Sequence, residues 1–234
     1  MSEQTLKYYL SETRPCAYLD DKQAVMATID PQASIDQPLY SQLAQLGFRR
    51  SGNYVYRPQC PACQACIPLR VSAADFQPTR SQRRVWQRNQ DLRINDIESH
   101  FDDQHFALFE RYVNGQHPGG GMDKPEASDY VSLLTSPDIN TRLFEFRTGK
   151  QLVAVSVTDH LDNGLSAVYT FYDPDMARRS PGVFTLLWQI EQCRRLDLNW
   201  LYLGYWISEC RKMSYKDQYR PCEILAPEGW RQLT

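Results

Sequence analysis

No stretch of this sequence is long and apolar enough to span a bilayer, and no basic leader with an apolar core opens it. These absences argue against the membrane-embedded and secreted classes and make the cytoplasm the expected location. There is no excess of positive charge either. The formal net charge is -2, so any polyanion would have to be held by a local basic patch. Seven cysteines is an odd number for a disulfide framework, and three of them crowd into Cys60-Pro61-Ala62-Cys63-Gln64-Ala65-Cys66. In a reducing compartment that favours metal ligation or plain thiols. Internal repeats and low-complexity segments are absent, and the length suits one large domain or two small ones.

The strongest pattern runs from Leu165 to Ile207. Leu165 to Tyr172 is aromatic and β-branched and follows Asp162-Asn163-Gly164, which predicts the second strand of a hairpin. Asp173-Pro174-Asp175 stops it. Ser180 is the expected N-cap of a helix with Pro181 at its first position, where a missing N–H costs nothing. Val183, Leu186, Leu187 and Ile190 form one apolar stripe and Phe184 and Trp188 a second, so the helix should be buried on two sides. Leu198 to Ile207 is apolar on both faces, as a sheet-interior strand is. Strand, helix and strand predict a right-handed parallel crossover.

Upstream, Asp36 should cap a helix over Pro38 to Leu46 that stops at Gly47, and Phe48 to Tyr56 reads as a hairpin turning at Ser51-Gly52-Asn53. Cys60, Cys63 and Cys66, with Cys16 as a fourth thiolate, are candidate metal ligands for zinc or an iron–sulfur cluster; the alternative is a set of buried thiols that only pack. A helix over Ser81 to Asn89 carries Arg83, Arg84 and Arg88, with Arg80 just before it. This basic cluster is either a phosphate-contacting surface or a solvated face. The loop His117-Pro118-Gly119-Gly120-Gly121-Met122 either brings backbone N–H groups to a ligand or simply joins two helices.

The order of elements resembles the acyl-CoA N-acyltransferase fold. The expected class is α+β: an N-terminal cysteine-bearing module over 1–76, then a GNAT-like mixed sheet flanked by helices over 77–234. In that fold two central strands splay apart and the donor sits at the splay. The usual pyrophosphate loop is altered here, because Phe184 stands where a small residue belongs. Its bulk is expected to obstruct a CoA pyrophosphate, so the donor should be something else.

Specific motifs then narrow the reading. Phe48-Arg49-Arg50-Ser51-Gly52 with Tyr54 and Tyr56, Ala167-Val168-Tyr169 with Tyr172-Asp173-Pro174, and Tyr202-Leu203-Gly204-Tyr205-Trp206-Ile207 followed by Cys210, Lys212-Met213, Tyr215-Lys216 and Tyr219-Arg220-Pro221 resemble the arginyl-tRNA–protein transferases, in the same order along most of the chain. The short length and the cysteine and glycine motifs look like the bacterial branch, which moves leucine from leucyl-tRNA to proteins beginning with Asp or Glu. The resemblance implies leucyl-tRNA and acidic N-termini as partners, no membrane, and no cofactor for the chemistry itself. Leu19 replaces a cysteine of the eukaryotic pattern, which leaves Cys16, Cys60, Cys63 and Cys66 as the candidate thiolates. On this reading Asp173 is the expected base, with the vicinal ribose hydroxyl of the tRNA as the alternative, and Tyr205 the expected oxyanion donor; the structural alternative is that Asp173-Pro174 only makes a turn and Tyr205 only packs. Arg49, Arg50, Arg178, Arg179, Lys216 and Arg220 are candidates for the acceptor's carboxylate, and Arg80, Arg83, Arg84, Arg88 and Lys212 for tRNA. Trp206 is a candidate for stacking the terminal adenine, although core packing would serve it equally.

Overall fold

A computed structural model describes residues 6–116, 125–134 and 138–234; the glycine loop singled out above lies outside the described residues. In chain order the elements are β1 (Tyr8–Leu10), β2 (Arg14–Pro15), β3 (Gln23–Ala24), β4 (Met26–Ile29), α1 (Gln37–Gln45), β5 (Arg49–Ser51), β6 (Tyr54–Pro58), β7 (Ile67–Ser72), α2 (Arg80–Arg88), β8 (Arg93–Glu98), α3 (Asp103–Gln116) and α4 (Ala127–Leu134). They continue with β9 (Thr141–Thr148), β10 (Gln151–Leu161), β11 (Gly164–Tyr172), α5 (Pro181–Arg195), β12 (Trp200–Trp206), α6 (Arg211–Ser214), β13 (Cys222–Ala226) and β14 (Gly229–Gln232).

Eight strands form one mixed sheet in the order β14-β13-β7-β12-β11-β10-β9-β8. β8 to β11 are antiparallel, α5 crosses over, and β12 returns parallel to β11. This is the expected α+β, GNAT-like mixed sheet flanked by helices. Four N-terminal strands make a smaller sheet, β1-β4-β6-β5. β7, on the N-terminal side of the expected 76/77 boundary, lies inside the large sheet between β12 and β13.

The feature that shapes the site is the short pairing of β11 with β12. They are in register only from Gly164 to Ser166 opposite Trp200 to Tyr202. Past Ser166 and Tyr202 the strands diverge, and the residues from Ala167 to Thr170 become half-buried. Gly164 permits the close end of the pair, since a Cβ there would meet the Trp200 carbonyl oxygen at 2.3 Å.

α5 is apolar on two sides and buries both, with Leu186, Leu187 and Ile190 in one core cluster and Phe184 and Trp188 in another. Ser180 precedes it in the left-handed region (φ 54) and makes no side-chain cap bond, unlike the N-cap expected of it. The Phe184 ring packs against Trp86 and Phe146 at 2% exposure, inside the core and away from the helix mouth. Access to that mouth is limited by Tyr172 instead: a Cβ at Gly182 would lie 3.2 Å from its ring.

A buried ion pair ties the two sheets. Arg50 on β5 donates to both carboxylate oxygens of Asp159 on β10 (2.8 and 2.6 Å), and Thr141 and Tyr40 complete the carboxylate's partners. Both charged side chains are solvent-free. Because the pair is fully hydrogen-bonded, it pins β5 and so sets the position of Arg49 beside it.

Candidate active site

The divergence of β11 from β12 opens a gap, and Arg49 fills it. Its Nη2 donates to the Ala167 carbonyl, the first residue of β11 past the pairing, at 2.8 Å. Its other terminal nitrogen, Nη1, is buried and has no hydrogen-bond partner among the described residues. On the opposite strand Gly204 makes room: a Cβ there would come within 2.5 Å of Nη1, and the residue sits at φ +72. Glycine is therefore required twice at this position, for space and for backbone conformation.

Lys216 reaches the same region from the turn after α6. It is 7% exposed, and its Nζ donates to the Tyr205 carbonyl oxygen and lies 3.5 Å from the Met213 sulfur. Burial and then the Arg49 cation push its pKa down to about 7. Among the described residues no carboxylate is paired with either cation. Buried cations are normally paired, because desolvating them is costly. Two neighbouring ones left unpaired make a site that an incoming anion or carbonyl would satisfy.

Aromatic side chains surround this pair. Tyr112 lies 4.8 Å from Tyr172, centroid to centroid, at a steep angle. The Tyr215 ring is 6.0 Å from Lys216 Nζ. Burial, then neighbouring Tyr172, Tyr169 and Tyr215, raise the pKa of Tyr112 well above its ordinary value. The Tyr18 hydroxyl is pushed up to about 12 by burial, with Tyr56, Cys66 and Cys210 adding to the effect and Arg49 opposing it.

The structure thus brings together two of the expected acceptor-binding residues, Arg49 and Lys216. The other four are elsewhere. Arg50 is spent on Asp159, and at 3% exposure it cannot meet a substrate. Arg179 pairs with Asp91 at 2.8 Å beside α2, where Arg88 donates to the Arg178 carbonyl. Arg220 is exposed and donates to the Asp217 and Leu233 carbonyls, so it shares no face with Lys216. The intervening segment is a short 3-10 turn, which turns the two side chains apart.

Both expected catalytic groups are occupied. The Tyr205 hydroxyl donates to the Gly47 carbonyl at 2.8 Å and approaches that of Tyr56 at 3.3 Å, so it locks β12 to the N-terminal strands and is not aimed at a reacting carbonyl. Asp173 is 3% exposed and accepts from Arg111 (2.7 Å), Gln151 (3.2 Å) and the Asp175 backbone (3.0 Å). It caps the turn after β11, and three donors already hold its carboxylate. Trp206 donates its indole N–H to the Ser214 carbonyl and packs on the core, the structural alternative open to it.

Arg80, Arg83, Arg84 and Arg88 are all exposed on α2, whose inner residue Trp86 packs on Phe184 of α5. Thr79 and Gln82 close its N-terminus with a reciprocal capping box. Lys212 is exposed on α6. Cys16, Cys60, Cys63 and Cys66 line one cavity of about 360 Å³ that also borders Gly47 and Tyr205. Burial and the other three thiols push Cys66 up to about 12. The donors are those of a zinc or iron–sulfur site, but as placed no three candidate ligands among the described residues are grouped to hold an ion. Sequence reasoning missed the role of Gly204, which stands inside a quoted motif, because nothing in the residue order says which side chain crosses its backbone.

Comparison with known proteins shows the family. The family model for the N terminus of arginine-tRNA-protein transferase matches residues 14–84, and that for the C terminus matches residues 104–226. The chain is 48% identical to an aspartate/glutamate leucyltransferase of Alcanivorax borkumensis over 97% of its own length and 94% of the relative's. It is 46% identical to the enzyme of the same name from Hahella chejuensis, over 97% of both chains. The residues that frame the gap, Arg49 in the first matched region and Gly204 and Lys216 in the second, lie within those matches, and this chain belongs to the arginine-tRNA-protein transferase family.

Proposed function

We propose that the chain transfers leucine from leucyl-tRNA to the N-terminal α-amine of proteins beginning with Asp or Glu, in line with the names of its relatives. The observation that carries the acceptor half is the pair of Arg49, half-buried with its Nη1 fully covered, and buried Lys216 at the strand divergence, neither paired with a carboxylate among the described residues. An acidic first side chain supplies the missing anion. Its carboxylate accepts from Arg49 Nη1 and from the Lys216 ammonium, whose proton it stabilises.

The reaction is aminolysis of an ester. The donor carbonyl is already activated, so neither a covalent enzyme intermediate nor a cofactor is needed for the chemistry. The acceptor amine has an ordinary pKa of ~7.7–8.0, so a useful fraction is neutral at cellular pH. Anchoring the neighbouring side chain holds that amine against the donor, and positioning of this kind lowers a barrier by roughly 7–11 kcal/mol. The exposed arginines of α2, with Lys212, form the proposed surface for the tRNA backbone. The cysteine cavity is proposed as a structural zinc or iron–sulfur site, which requires the thiols to close in from their present spacing. Metal content of the purified protein, against a Cys63→Ser/Cys66→Ser variant, tests that part.

The main experiment is a transfer assay. Leucyl-tRNA and arginyl-tRNA are offered separately with acceptors beginning with Asp, Glu, Asn, Gln or Ala. Leucine on Asp and Glu termini alone is the expected result. Transfer to Asn as readily as to Asp would remove the carboxylate site, and arginine in place of leucine would change the donor while keeping the acceptor.

A further inference from the structure

β11 is nine residues long, and its two edges are used unequally. On one edge it pairs with β10 along its length, from Gly164 opposite Leu161 to Tyr172 opposite Ala154. On the other it meets β12 only from Gly164 to Ser166. The Ala167 carbonyl, just past that pairing, is taken by Arg49. Val168 is then an extra residue, because Thr158 of β10 stands opposite Ala167 and Val157 opposite Tyr169. Such a bulge resets which backbone groups face which edge. The Asp173 N–H bonds the Val153 carbonyl at 2.8 Å, so Asp173 is turned toward β10. Backbone groups alternate along an antiparallel pair, which turns Phe171 and Tyr169 the same way and leaves Thr170 and Tyr172 facing the gap.

On that edge the N–H and carbonyl groups of Thr170 and Tyr172 bond no other described residue. The neighbouring side chains are directed to the faces of the sheet. The Thr170 hydroxyl lies 3.0 Å from that of Ser156 on β10, and the Tyr172 ring packs at Gly182 of α5. The Phe171 ring goes to the opposite face, 5.5 Å from Phe109 of α3. What lines the gap here is main chain, a row of alternating donors and acceptors of the kind that an extended peptide completes. The closed end of the row is the Arg49 guanidinium on the Ala167 carbonyl, with its Nη1 still unpartnered. A cation followed by an unpaired strand edge matches an acidic first residue followed by extended polypeptide. A sugar–phosphate chain has no repeating N–H and carbonyl groups to match it.

We propose that the first residues of the acceptor protein bind as an added parallel strand on the open edge of β11. The proposal deepens the acceptor-site reading above and rests on it. With the first carboxylate at Arg49 and Lys216, the first residue stands beside the bulge and the chain runs outward along the edge. The third residue then lies beside Phe171. Its N–H donates to the Thr170 carbonyl, and its carbonyl accepts from the Tyr172 N–H. The N–H of the fifth residue donates to the Tyr172 carbonyl, while those of the second and fourth turn away. These bonds read main chain only. The enzyme therefore selects the first side chain and tolerates any later residue that keeps its N–H.

The test uses the unaltered protein with leucyl-tRNA and synthetic Asp-initiated acceptor peptides. Each peptide carries one N-methylated backbone amide, at residue 3, 4 or 5. Methylation removes a single N–H and leaves every side chain in place. Acceptor KM should rise about tenfold for methylation at residues 3 and 5 and stay within about twofold at residue 4. kcat should hold, because these bonds are made equally before and during the reaction. Equal KM values for the three methylated peptides, whether raised or unchanged, overturn the proposal. A slip of one residue turns every side chain of a strand to the opposite face, so a loss confined to residue 4 overturns it as well. Unmethylated Asp- and Asn-initiated peptides run beside these. If the two are transferred equally well, the carboxylate site is what fails, and the contrast between residue 4 and its neighbours still decides the added strand.

Discussion

Lys216 is a cation in a place that disfavours cations, and that sets its pH behaviour. Its folded pKa is about 7 against 10.5 when unperturbed. Below pH 7 it is charged in both folded and unfolded states, so the whole cost of burying the charge is present. Between pH 7 and 10.5 the unfolded chain keeps a proton that the folded one has released, so Lys216 costs progressively less as pH rises. Lys216→Met should therefore raise the melting temperature most at pH 6, with the gain shrinking toward pH 10, while KM for an Asp-initiated acceptor rises at least tenfold. Melting curves at several pH values check the first part and steady-state kinetics the second. A gain that grows with pH would contradict the assignment.

Arg50 and Asp159 make the contrasting case of a buried pair that is complete. Removing one partner leaves a stranded charge, so Arg50→Met should destabilise by about 3–5 kcal/mol. Denaturant titration measures it. Because this pair fixes β5, surviving folded protein should also show raised acceptor KM through displaced Arg49. The sequence announced both arginines as a motif. It could not say that Arg50 pairs with Asp159 while Arg49 reaches the gap, since neighbours on a strand face opposite ways and the buried side depends on which sheet covers it.

At the scale of elements, the divergence of β11 from β12 makes the site possible. A fully paired ladder would have occupied the Ala167 carbonyl that Arg49 now bonds. The helix–strand crossover itself was legible from apolar periodicity, and α5 buries the two stripes that its spacing predicts. The end of pairing was not legible, because register is a property of two strands together. α2 carries its own test. Its arginines are exposed, and among the described residues only Arg83 and Arg88 are engaged, each with a backbone carbonyl. Arg80→Glu/Arg84→Glu should raise KM for leucyl-tRNA and flatten its dependence on salt, because fewer counterions are released on binding. Acceptor KM should not change. An unaltered salt slope would return the cluster to being a solvated face.

At the scale of the whole molecule, the N-terminal segment and the large sheet are built into each other. β7 enters the large sheet, Arg49 and Arg50 reach into it from the small one, and the Tyr205 hydroxyl bonds back to Gly47. The candidate site therefore belongs to neither half alone. The sequence by itself determined the α+β class, the crossover and the motifs of the family, since these depend on local pattern or on residue type. Only the tertiary structure decided which candidates meet. It spent Tyr205 and Asp173 on structural hydrogen bonds, sent Arg178, Arg179 and Arg220 to other surfaces, and brought Arg49 and Lys216 to the gap. A site is a set of distances between residues far apart in the chain, and those distances follow from how the strands pair and pack.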